Sequence, residues 1–233
     1  MRLYRLLVIF FVGLLGVTMP LAQGWAFSPA QNYAKVQLLQ PQLLSPPPAE
    51  GTKEWNNQID AVLQAQHCLS STELAAIKDE QHVRLEMMTS VLGPSCTRER
   101  LPKTFAMLDR VVNSTRQTLE KNKIFWHTRR PYLADSRVQL FIDPINDSPS
   151  YPSGHTTETR VLAEVLGLLA PEKITALRAR AEAIAFHRVE AGAHYPNDLE
   201  GGRMLAMLIV GALTASDNFQ ADLAEARKEI SGE

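Results

Sequence analysis

Eight residues in three separated segments have the types needed to hold a tetrahedral oxyanion and move protons around it. Lys123 and Arg130, with Pro131 after it, form the first; Pro152-Ser153-Gly154-His155 the second; Arg188, His194 and Asp198 the third. Arginine offers a planar fork that grips two phosphate oxygens, and lysine a point charge on a flexible stem. Ser153 adds a hydroxyl, and Gly154 a backbone that an anion can approach closely. A carboxylate four residues from a histidine can reach its ring, as Asp198 can reach His194. Such a carboxylate sets the tautomer and raises the basicity of the far nitrogen, which a histidine nucleophile requires. Each segment alone has a plainer reading: solvated cations, a serine N-cap, a surface His–Asp pair. All three in order point to one site for breaking a P–O bond.

The surrounding pattern is helical. Glu54 to Gln66 carries Trp55, Ile59, Val62 and Leu63 on one stripe. Ser70 with Glu73 reads as a capping box for a helix over Leu74 to Val91, ending at Gly93-Pro94. Phe105 to Lys121 repeats the period, and Pro131 to Ser150, rich in Asp, Pro and Ser, reads as loop. Helices are expected again over Ser153–Leu169, Pro171–Val189, Pro196–Thr214 and residues 220 to 230. Strand signals are nearly absent, so the expected fold is an all-α bundle. In this frame Lys123 and Arg130 bracket a turn, and Ser153 opens a helix whose free N–H groups can face an anion. Arg188 falls near a helix end, Gly192 turns the chain, His194 lies in the connection and Asp198 in the next first turn.

Bulk properties narrow the function classes. Arg2 and Arg5 precede an apolar run from Leu6 to Val17, and Gly24-Trp25-Ala26 offers a small-x-small cleavage site, with Ala22 as the poorer alternative. This reads as a secretory leader over residues 1–26; retention as an anchor is the other reading, for a run shorter than the roughly 20 residues that span a bilayer. Its removal would take two arginines and no acid from 24 basic and 25 acidic side chains, leaving a net charge near −3. No basic field is left to recruit nucleic acid, and the expected product is soluble. A proline-rich extended arm is expected over residues 27–50 and a single helical domain over 51–233. Cys68 and Cys96 are the two cysteines; in an exported chain an even pair suggests a disulfide, with two free thiols as the alternative. No metal-ligand spacing stands out, and the expected cofactor is none.

The order and spacing of the three segments resemble the tripartite signature of the type 2 phosphatidic acid phosphatase superfamily. That group includes bacterial class A acid phosphatases and vanadium haloperoxidases. Leu43-Leu44-Ser45-Pro46-Pro47-Pro48 followed by an amphipathic helix resembles the N-terminal region of the class A enzymes, so the resemblance covers about Leu43 to Gly202. It implies a fold of the vanadium-haloperoxidase type and a metal-independent acid phosphatase, periplasmic or secreted, acting on small phosphorylated substrates. By position, His194 would become phosphohistidine, Asp198 would orient it, and His155 would protonate the leaving group. Lys123, Arg130, Ser153, Gly154 and Arg188 would hold the phosphoryl oxygens. One departure is visible: His187 stands where a serine usually precedes the second arginine, and its imidazole could donate to phosphate instead. Glu190 could pair with Arg188 or face solvent. A lipid phosphate or isoprenyl pyrophosphate phosphatase, vanadate-dependent halide oxidation, and simple phosphate capture are the competing readings. Oligomeric state stays open, a homodimer included.

Overall fold

The computed structural model describes residues 32–145 and 148–232; the leader read at residues 1–26 lies outside them. Among the described residues helix is the only regular secondary structure, so the fold is all-α. Chain order gives α1 Ala34–Gln37, α2 Lys53–Gln66, α3 Ser71–Asp79, α4 Glu86–Thr89, α5 Pro102–Trp126, α6 Pro131–Ala134, α7 Gly154–Leu169, α8 Ile174–Glu190, α9 Pro196–Thr214 and α10 Asp217–Ser231. α7 is the centre, packed against α5, α8 and α9. No single helix among the described residues is long and apolar enough to cross a membrane.

Local chemistry explains most boundaries. Thr52 caps α2 through its hydroxyl, and Ser70 with Glu73 forms the expected capping box on α3. Pro102 sits at the start of α5, where its missing N–H costs nothing. α5 then runs well past Lys121, so Lys123 lies in its last turn, and His127 ends it with a left-handed backbone, φ 44°. Phe105, Leu108, Val111, Thr115, Thr118, Leu119 and Asn122 form its buried stripe. Before α2, Tyr33, Val36 and Leu44 join the main core, and Tyr33 donates to Asp222 at 2.6 Å.

The helix expected over Leu74 to Val91 is broken. α3 stops at Asp79, and α4 begins only at Glu86. The cause is tertiary. Gln81 N–H bonds back to the Lys78 carbonyl, which frees the Ile77 carbonyl for Arg188 Nη2 at 2.9 Å. The Glu80 carbonyl takes His155 Nε2 at 3.0 Å, while its buried carboxylate meets Arg180 at 2.7 Å and His187 at 2.6 Å. A continuous helix would consume those carbonyls in its own ladder.

The expected disulfide is likewise absent: both cysteines are free thiols. Cys68 follows α2, whose last residue, Gln66, bonds the Glu190 carbonyl near the site. Cys96 lies on a loop that Arg98 ties to Asp109, and Asp109 to Lys123 is about 21 Å along α5 at 1.5 Å per residue. Disulfide geometry requires Cα atoms within roughly 7 Å. Cys68 is exposed, and Cys96 is partly buried with its thiol pKa pushed up by that burial. Native protein is therefore expected to take up two equivalents of iodoacetamide, Cys68 first; recovery of a bridged Cys68–Cys96 peptide would refute this placement.

Candidate active site

Two close approaches bring the three segments together. Gly192 has φ +72°, and a Cβ there would lie 2.1 Å from the Gln139 carbonyl oxygen. The turn it makes carries the chain from Arg188, at the end of α8, to His194. Gly202 lets α9 meet the start of α7, where a Cβ would come within 2.9 Å of Thr156 and 3.0 Å of the Ser153 carbonyl. A cavity of about 370 Å³ opens where these elements meet, lined by Lys123, Arg130, Gly154, His155, Arg188 and His194. Six of the eight expected residues thus face one cavity.

His194 is almost fully buried, and its protonation pattern follows from its neighbours. Arg130 Nη1 lies 3.1 Å from His194 Nε2. A guanidinium can only donate, so Nε2 must be the unprotonated nitrogen and accept. The proton then sits on Nδ1, which donates to Asp198 Oδ2 at 3.0 Å. Burial pushes the His194 pKa well below its ordinary value, and the charges of Arg130, Lys123 and Arg188 push it further. The ring is neutral with a lone pair turned toward the cations. Asp198 also accepts from the Ser150 hydroxyl at 2.5 Å and the Tyr195 N–H at 3.0 Å. Burial pushes its carboxyl up to about 6, against the pull of those bonds and of Lys123 and Arg130.

The cations are buried as deeply. Arg130 Nε donates to the Ser148 carbonyl at 2.8 Å, and Nη1 also reaches the Ala193 carbonyl at 2.9 Å. Lys123 Nζ donates to the Pro149 and Ser150 carbonyls, and burial followed by the Arg130 charge brings its pKa down to about 7. Arg188 differs from both. It is 1% exposed, and its Nε and Nη1 have no partner, with only Nη2 bonded, to the Ile77 carbonyl. Burial lowers its pKa to about 10. A buried, unsatisfied charged donor costs on the order of 1–3 kcal/mol or more, a cost an oxyanion in the cavity would recover.

His155 lines the cavity too, with Nε2–H given to the Glu80 carbonyl at 3.0 Å. Its pKa falls to about 3, through burial first and the Arg188 charge next. Ser153 stands behind this wall. It is fully buried, caps α7 by accepting from Thr156 N–H, and gives its own N–H to the Asp198 carbonyl at 3.0 Å. His187 is turned away from the cavity, its Nδ1 spent on Glu80. Glu190 neither pairs with Arg188 nor faces solvent: it is buried, Oε2 lacks a partner, and burial raises its pKa.

Sequence reasoning missed Ser150 and Glu80. Ser150 holds Asp198 from two residues before the Pro152-Ser153-Gly154-His155 segment, and its place beside that segment was the one available signal. Glu80 had none, because its role depends on the break after α3. A second cavity of about 350 Å³ lies on the other side of residues 126–129, walled by Pro46, Pro47, Pro48, Trp55, Trp126 and Tyr195. Its lining cation, Arg129, is already paired with Glu50, so the convergent charge belongs to the first cavity.

Comparison with known proteins places these residues in a shared framework. The PAP2 superfamily profile matches residues 107–221, a span that contains Lys123 through Asp198. An acid phosphatase of Zymomonas mobilis is 23% identical over 194 residues, covering 80% of this chain and 74% of its own. A non-specific acid phosphatase of Salmonella typhi is 25% identical over 196 residues, 80% and 78% of the two chains. A non-specific acid phosphatase of Providencia stuartii is 32% identical over 88 residues, 38% and 36% of the two chains.

Proposed function

Because residues 107–221 belong to the PAP2 superfamily, we propose that this chain is an acid phosphatase that hydrolyses small phosphate monoesters through a phosphohistidine intermediate. The carrying observation is His194. Its Nδ1–H is held by Asp198 and its Nε2 lone pair is aimed among three buried cations, the state and position a nucleophile toward phosphorus needs.

The step follows from this arrangement. His194 Nε2 attacks phosphorus and the P–O bond to the leaving group breaks. His155 gives its proton to the departing oxygen, while Asp198 stabilises the charge that appears on the His194 ring. Water then attacks the phosphorus, passes a proton to His155, and the P–N bond breaks to return neutral His194. Lys123, Arg130 and Arg188 offset charge on the equatorial oxygens throughout, and Ser153 with Gly154 closes the cavity at the start of α7. A dianionic phosphate beside His155 opposes the cations that depress its pKa, so binding itself raises the group toward the protonated form an acid requires. The leader read at residues 1–26 supports a periplasmic or secreted site of action.

The cations stand where a metallophosphatase would place its ions, so activity toward p-nitrophenyl phosphate is expected to survive EDTA. Vanadate, trigonal bipyramidal when bound, imitates the in-line transition state and is expected to inhibit competitively. Loss of activity on chelation with recovery on adding a divalent metal, or indifference to millimolar vanadate, would sink the reading.

A further inference from the structure

The outer half of the cavity is built differently from its floor. Its charged floor gives way to Ile142, Pro144 and Ile145, from the connection between α6 and α7. Ile142 and Ile145 are packed against the buried Ile77, Ala191 and Ala193, which fixes this wall to the core. Between them, Asp143 faces Gln81 across the mouth. Gln81 Nε2 donates to Asp143 Oδ2 at 2.8 Å, and Asp143 N–H donates back to Gln81 Oε1 at 3.0 Å. This reciprocal pair joins the break after α3 to the α6–α7 connection and sets a carboxylate at the entrance. No lysine or arginine lines that outer half among the described residues; the imidazole of His82, next to Gln81, also lines it.

Charge accounting gives the entrance its meaning. The three floor cations are offset by Asp198 and by the two charges of a bound phosphoryl group, so little positive field is left to reach outward. A further anionic group on the leaving side therefore meets Asp143 with no lysine or arginine to compensate it, while an apolar one meets isoleucine and proline.

From this we propose that Asp143, clasped by Gln81, makes the site selective for monoesters whose leaving group is apolar and carries no additional negative charge. The inference rests on the phosphatase reading and narrows its substrate class. Nucleoside diphosphates and inorganic pyrophosphate become poor substrates on this view, and aryl or alkyl monoesters good ones.

The test compares kcat/KM for phenyl phosphate and 3-carboxyphenyl phosphate, which differ by one remote charge. Asp143→Asn is expected to raise the carboxyphenyl-to-phenyl ratio about two- to fivefold, the size of a Coulomb interaction between exposed charges. Asp143→Lys is expected to raise it further. The wild-type enzyme supplies a measurement free of any folding defect: its ratio should rise with ionic strength as the repulsion is screened. A ratio unmoved by both substitutions and by salt, with phenyl phosphate hydrolysis intact, overturns the inference and leaves the phosphatase reading standing. Failure of the wild-type enzyme to hydrolyse either ester overturns both.

Discussion

His194→Ala is expected to lower kcat by about 10⁴-fold or more toward every phosphate ester and to abolish phosphoenzyme formation, because residues that act as one catalytic unit fail together when the nucleophile is removed. His155→Ala should behave differently. It removes the acid, a contribution of about 10²- to 10⁴-fold that depends on how much the leaving group needs a proton. p-Nitrophenolate departs with little help, so this variant should still give phosphohistidine from p-nitrophenyl phosphate, as a burst followed by slow turnover. Glycerol phosphate, whose alkoxide needs the proton, should become nearly inert. The pH dependence carries the same signature. His155 must be protonated in the complex, so wild-type kcat falls as pH rises through its pKa there, and His155→Ala loses that limb with p-nitrophenyl phosphate. Turnover by His194→Ala, or equal trapping of phosphoenzyme by both variants, overturns the assignment.

Arg188→Met is expected to separate stability from function. In the free protein Arg188 is a buried cation with two nitrogens unbonded, and replacing such a charge with an apolar side chain of similar length is often neutral or stabilising by about 1–4 kcal/mol. The Ile77 carbonyl loses its donor, which costs on the order of 1–3 kcal/mol. The two nearly cancel, so Tm in phosphate-free buffer should stay close to wild type. Activity should fall about 10²- to 10³-fold, the loss that follows removal of one donor to a developing oxyanion. Phosphate should also cease to stabilise the variant, whereas saturation at 100 times the dissociation constant stabilises the wild-type protein by about 2.7 kcal/mol. A variant that collapses in the absence of phosphate would show Arg188 to be structural, and one that keeps full activity would remove it from the site.

Helix content and the His194–Asp198 pair were legible because they are local. Capping boxes, prolines at first helical positions and apolar stripes reveal themselves within one or two turns. α9 begins at Pro196 and ends at Thr214 as the pattern requires. The short spacing of His194, in the connection before α9, and Asp198, in its first turn, keeps carboxylate within reach of imidazole.

What lay beyond the sequence depended on residues far apart along it. Periodicity continues through Glu80, yet the helix stops because Arg180, His187, Arg188 and His155 compete for its carboxylate and carbonyls. The even cysteine count suggested a bridge, but both thiols are free. Ser153 caps α7 as its place before Gly154 suggests, while packing ties His187, read as a substitute phosphate ligand, to Glu80. The sequence by itself determined which side chains could do phosphoryl chemistry and that helices would carry them, since both follow from residue type and short spacing. Only the tertiary structure decided which nitrogen of His194 is free, which arginine is left unsatisfied and what stands at the mouth. Those depend on distances between segments that no local pattern encodes.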